Sequence, residues 1–192
     1  MWRQGSEIVH PMTQPLASTE FAALRQTIAS RGTTRMVLIP VTCLGWAALT
    51  LVLLLFGGPP VATLLPLGVL VGGFEAVHAL HVGAERIGRY LQVYFEADPN
   101  GPRWETMAMT VGPALPGGGI DPLFSAVFVG ATLINLLPAL LPRPTPMELG
   151  IIGVLHLAFV FRVVRARGAA ARQRAVELES FKALQSRERA GS

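Results

Sequence analysis

Four side chains able to bind a metal or carry a proton crowd into one stretch, EAVHALHVGAE: Glu75, His78, His81 and Glu85. Glu75-x-x-His78 has the i, i+3 carboxylate–imidazole spacing that metal centres use in helical bundles. His81 and Glu85 add an i, i+4 pair one turn further on. Imidazole and carboxylate together suit zinc, iron or manganese, so the chemistry on offer is a divalent metal site in a membrane-embedded enzyme or redox module. The difficulty is the number of ligands. One helix does not close a coordination sphere, and no second Glu-x-x-His lies on another apolar segment; those segments offer only Asn135 and His156. His156 reads instead as a core histidine bonded across helices to Asn135 or Thr132.

The same stripe has a plainer reading. PPVATLLPLGVLVGGF runs into these residues without a turn signal, so one helix leaves lipid and enters water along Glu75, His78, His81, Glu85, Arg89 and Glu96. Counted from Val61, Glu75 lies about 21 Å down that helix and His81 about 30 Å. Both approach the inner headgroup region, where hydration and pairing with Arg86 or Arg89 satisfy them. Glu75 lies deepest and needs a partner, a wet cavity or a proton. A proton path or small transporter through Glu75 is a third reading, weakened by the single acid and the absence of an inverted repeat.

The elements that hold this stretch follow from hydropathy. The chain has 192 residues, 51% hydrophobic and 15% charged, and a mean hydropathy of +0.47. Soluble domains carry about 25% charged residues, so the composition is that of a membrane protein. The expected fold is an all-α integral membrane protein with four transmembrane helices, at about 36–56, 61–80, 122–141 and 147–164. Residues 1–35 form a cytoplasmic tail and an N-terminal amphipathic helix, 81–121 a cytoplasmic helix and loop, and 165–192 a basic cytoplasmic C-terminal helix. Residues 1–17 read as irregular, without the pattern of a secretory signal. Ser18 is the expected N-cap, Gly32 the stop before the first span, and Gly168 the expected break in the last helix. Arg103–Thr110 reads as a short extended piece within the Pro- and Gly-rich connection Asp98–Ile120. Asp121-Pro122 and Thr145-x-x-Glu148 read as helix starts.

Arginine counts set the expected topology. With the N-terminus inside, fifteen of the sixteen basic residues are cytoplasmic and only Arg143 is outside, a strong positive-inside bias. Both termini are therefore expected in the cytoplasm of an inner (plasma) membrane. Gly68, Gly72 and Ala76, with Gly73 beside them, form a small-residue ridge for helix packing. Arg162, Arg165, Arg167, Arg172 and Arg174 can meet anionic lipid headgroups. On the tail, Val176, Phe181 and Leu184 are expected to face Ile87–Phe95 or a partner.

Several classes are excluded. There is no HExxH, GxSxG, phosphate loop or GxGxxG. No motif or aromatic-laced basic stripe speaks for nucleic acid. Cys43 is the single cysteine, so no intrachain disulfide can form. The favoured function is a non-enzymatic accessory or scaffolding subunit, without a cofactor, that meets membrane lipid and a protein partner or second copy. The Ala/Arg/Gly/Pro-rich composition is compatible with a bacterial source.

Overall fold

The computed structural model describes residues 13–96, 103–111 and 122–191, and every element among them is helical. α1 is Thr13–Phe56, 44 residues long. A 3-10 turn, Pro60–Thr63, leads into α2, Leu64–Tyr94. α3 is Trp104–Val111, α4 is Pro122–Ile134, α5 is Leu137–Leu140, and α6 is Pro146–Gly191, 46 residues long. Three helices, Ala17–Phe56 within α1, Pro60–Tyr94 with α2, and α6, are long and apolar enough to cross a membrane. Phe124–Leu140 is a shorter apolar segment, about 26 Å of helix against a hydrocarbon core of about 30 Å.

Several sequence expectations need correction. α1 starts at Thr13, so Ser18 is an interior residue and 13–17 are helical. Gly32 does not stop the chain, and the expected amphipathic helix and first span are one rod. Glycine in a helix interior costs only about 1 kcal/mol, and side chains of α1 grip α2 on both sides of it. Gly168 is likewise interior to α6. Arg103–Thr110 is not extended: it is α3, because the Glu96 carboxylate accepts the Glu105 and Thr106 N–H groups, both at 2.7 Å. The third apolar segment is broken between α4 and α5. Pro138 has no N–H to donate, and Leu136 bonds Leu133 O in a tightened turn. The Asp121 cap and most of Asp98–Ile120 lie outside the described residues. The Thr145–Glu148 capping box forms as expected, with Glu148 Oε2 accepting from Thr145 N at 2.9 Å and Thr145 Oγ1 at 2.8 Å.

Residue pairs fix the course of each helix. α1 and α2 are antiparallel: Glu20 meets Tyr90, Arg35 meets His81, Thr42 meets Gly73 and Gly45 meets Val69. α6 runs parallel to α2, because Arg162 meets Glu75, Arg89 meets Glu177 and Gln185 meets Val93 O. α4 runs against α2, with Phe124 and Phe128 on Phe74 and Asn135 on Thr63 O. The core gathers Leu67, Leu70, Phe74, Phe128, Phe159 and Val163 from α2, α4 and α6. Phe74 is its centre, edge-on to both Phe128 and Phe159, a ring arrangement that suits the aromatic quadrupole.

One polar knot lies inside this core. The buried Asn135 accepts from Trp46 Nε1 at 3.1 Å and donates from Nδ2 to Thr63 O at 2.9 Å. The same amide stands 3.0 Å from His156 Nε2, while His156 Nδ1 lies 2.8 Å from Ile152 O. Nδ1 must carry the proton there, since a carbonyl only accepts, so Nε2 takes a bond from Asn135. The interhelical bond expected of His156 is thus made to Asn135, whereas Thr132 bonds Phe128 O. Such bonds are worth about 1 kcal/mol each between membrane helices.

Candidate functional site

The stripe on α2 becomes a layer of charge shared by α1, α2, α3 and α6. Glu75 accepts from Arg162 Nη2 at 2.7 Å, and that pair is about 44% and 42% exposed on its two sides. Arg162 also lies over the Phe74 ring, 5.5 Å from its centre. His78 stacks on Phe74 at 5.8 Å. His81 Nδ1 accepts from Arg35 Nη1 at 3.0 Å, and its buried Nε2 faces Glu85 Oε1 at 3.5 Å, beyond good hydrogen-bond length. Glu85 meets Arg174 closely and Arg89 at 3.5 Å.

Further along, Arg89 is the most enclosed cation among the described residues, 4% exposed. Its Nε donates to Glu177 Oε2 at 2.9 Å, while Arg86 and Gln173 reach the other oxygen at 2.9 and 2.8 Å. Burial pushes the Glu177 carboxyl up, but the hydrogen bonds from Arg89, Gln173 and Arg86 outweigh it and hold it below the usual carboxylate range. On the α3 side, Arg25 of α1 reaches Glu105 at 2.7 Å. Burial raises the Glu105 carboxyl against the pull of Arg25. Gly88 is what lets Glu105 approach, since a Cβ there would come within 2.8 Å of its Oε2. A cavity of about 110 Å³ opens among Glu85, Arg89, Gln92, Glu105 and Arg174.

The four candidate metal ligands thus share one helix face but turn to different partners. Glu75 goes to α6, His81 to α1 and Glu85 to α6, and among the described residues no three His, Cys, Asp or Glu side chains stand together where one metal ion could be held. The small-residue ridge also divides. Gly73 packs under Thr42, whereas Gly68 and Gly72 have nothing within 4 Å and Ala76 is exposed. Of the candidate headgroup arginines, Arg162 and Arg174 already face acids. Arg165 lies over Phe161 at 4.9 Å, Arg172 is exposed near Gly168, and Arg167 is carried on α6. On the tail, Phe181 meets Tyr90 edge-on at 5.8 Å, whereas Val176 and Leu184 are exposed.

Sequence reasoning gave no role to Arg25, Arg31, Arg35 or Glu177. Their signal was weak but present: Arg31 and Arg35 sit directly before an uncharged run, one helical turn apart. No protein-family model matches the chain, and no curated protein or solved structure does either.

Proposed function

We propose that the chain is a small, non-enzymatic integral membrane protein, an accessory or scaffolding subunit that crosses the inner membrane four times with both termini in the cytoplasm. The observation that carries this reading is the use made of the polar face of α2. Glu75, His81, Glu85 and Arg89 are each engaged by a partner on α1 or α6. These groups, the half-exposed Glu75 included, spend their bonds fastening helices to one another. Gly68 and Gly72, where an added Cβ would meet nothing within 4 Å among the described residues, supply a face for close approach by another membrane helix, which is how such helices associate without a hydrophobic drive. The parallel course of α2 and α6 supports four crossings, because the chain must return across the bilayer between them, and α4 with α5 runs that way.

Elemental analysis and a visible spectrum of the purified protein test this reading against a metal or redox centre. The expected result is far less than one metal ion per chain and no cofactor band. Stoichiometric metal, lost in a His78→Ala/His81→Ala variant, overturns it. Assembly is read separately: Gly72→Leu should abolish a higher-order species on a native gel of solubilised membranes while the chain still folds.

A further inference from the structure

Arg31 and Arg35 stand one turn apart at the end of the polar part of α1, immediately before the uncharged run Met36–Phe56. Both turn toward α2. The Arg31 guanidinium lies against Gly83, in space that a side chain on α2 would fill. Arg35 donates to His81 Nδ1 at 3.0 Å. A guanidinium has no acceptor to offer, so that ring nitrogen is bare and His81 is neutral; the bond orients Arg35 without cancelling its charge.

Neither arginine has a carboxylate within ion-pair distance among the described residues. The nearby acids are committed elsewhere: Glu75 to Arg162, Glu85 to Arg174 and Arg89, Glu105 to Arg25, and Glu177 to Arg86 and Arg89. Two half-buried cations thus stand one helical turn apart with no counter-charge among the described residues. Burying charge without a counter-charge is costly, so the pair favours an anion. The planar guanidinium fork matches phosphate oxygens. What selects the source of that phosphate is the helix itself. Exposed Met36, Val37 and Val41 begin directly beyond Arg35, so a ligand with a charged head at the arginines and acyl chains along α1 is satisfied at both ends.

We propose that Arg31 and Arg35, seated on Gly83 and His81 of α2, bind the phosphate of an anionic phospholipid headgroup. This rests on the proposed function only in taking α1 to lie in the membrane, and co-flotation of the protein with vesicles checks that premise by itself.

The test is native mass spectrometry of the full chain in neutral detergent, titrated with phosphatidylglycerol or phosphatidylcholine and, in parallel, with glycerol 3-phosphate. Retention of phosphatidylglycerol is expected to exceed that of phosphatidylcholine by about tenfold, as two basic contacts allow. That preference should vanish in Arg31→Gln/Arg35→Gln and persist in Arg165→Gln/Arg172→Gln. Gly83→Leu keeps both charges but fills the seat of Arg31, and should cut the preference several-fold. The proposal falls if the native protein shows no headgroup preference, if Arg31→Gln/Arg35→Gln or Gly83→Leu keeps it intact, or if glycerol 3-phosphate competes as well as the whole lipid, which would make the ligand a soluble phosphate.

Discussion

Gly72 and Gly73 adjoin in sequence and meet opposite surroundings. A Cβ on Gly73 would run into the Thr42 side chain, whose hydroxyl is tied to Leu38 O at 2.8 Å and cannot swing away cheaply. A Cβ on Gly72 meets nothing within 4 Å. Gly73→Ala should therefore cost about 1–3 kcal/mol by overpacking, while Gly72→Ala should stay within about 0.5 kcal/mol of the parent or gain from the better helix former. Thermal melts of the two variants in detergent decide the matter; equal melting temperatures would remove the close α1–α2 crossing. The ridge of small residues was legible in the sequence, but not which glycine carries the crossing, because that depends on where α1 meets α2. The polar stripe teaches the same lesson. Glu75, His78, His81 and Glu85 were legible as a set, yet carboxylates and imidazoles serve a metal or an arginine equally well. What distinguishes the two is the arginines arriving from α1 and α6, and Arg162 is 87 residues from Glu75 in the chain.

At the scale of elements, the long helices and the Thr145–Glu148 start of α6 were readable, while α3 and several helix ends were not. Gly32 and Gly168 looked like stops because glycine lowers local propensity, but each sits in a rod held by its neighbours: the Glu20–Tyr90 and Arg35–His81 bonds hold α1 on α2, and Arg162, Arg174 and Glu177 clamp α6 to α2. α3 was unreadable for a related reason. Its N-terminal N–H groups are satisfied by Glu96, nine and ten residues upstream, well outside the three-residue reach of a capping box. The α2–α6 clamp also sets a pH dependence. Glu177 titrates below its unfolded value of about 4.5, so its ionised form is favoured by folding. Its contribution is complete above that value and is lost as pH falls through the lowered folded value. Glu177→Gln should destabilise the protein at neutral pH by about 2 kcal/mol, the scale of hydrogen bonds to a charged group. Measured by melts from pH 8 to pH 3, the gap from the parent should stay constant down to the ordinary carboxylate range and close below it. A gap that widens on acidification contradicts the assigned ionisation of Glu177.

At the scale of the molecule, direction says more than length. Three helices are long and apolar enough to cross a membrane, and an odd number of crossings would leave the termini on opposite sides. Yet α2 and α6 run the same way, and the ion pairs joining them advance together along both helices. If both cross, the chain between them must return, and α4 runs against α2 from Phe74 to Thr63, the direction that the proposed fourth crossing needs. Its apolar stretch was legible from hydropathy, but its helix is short, broken between α4 and α5 beside Pro138. The arginine distribution gives the same expectation from sequence, in which Arg143 is the one basic residue placed outside. In a Cys43→Ser background, Arg143→Cys should react with a membrane-impermeant maleimide added to intact cells. Gln26→Cys and Lys182→Cys should react only after the membrane is opened. If Arg143→Cys were protected alongside Lys182→Cys, α4 and α5 would dip into the bilayer without crossing. The parallel pairing of α2 with α6 would then need α6 to lie outside the membrane, against the uncharged stretch Leu149–Phe161 that it exposes.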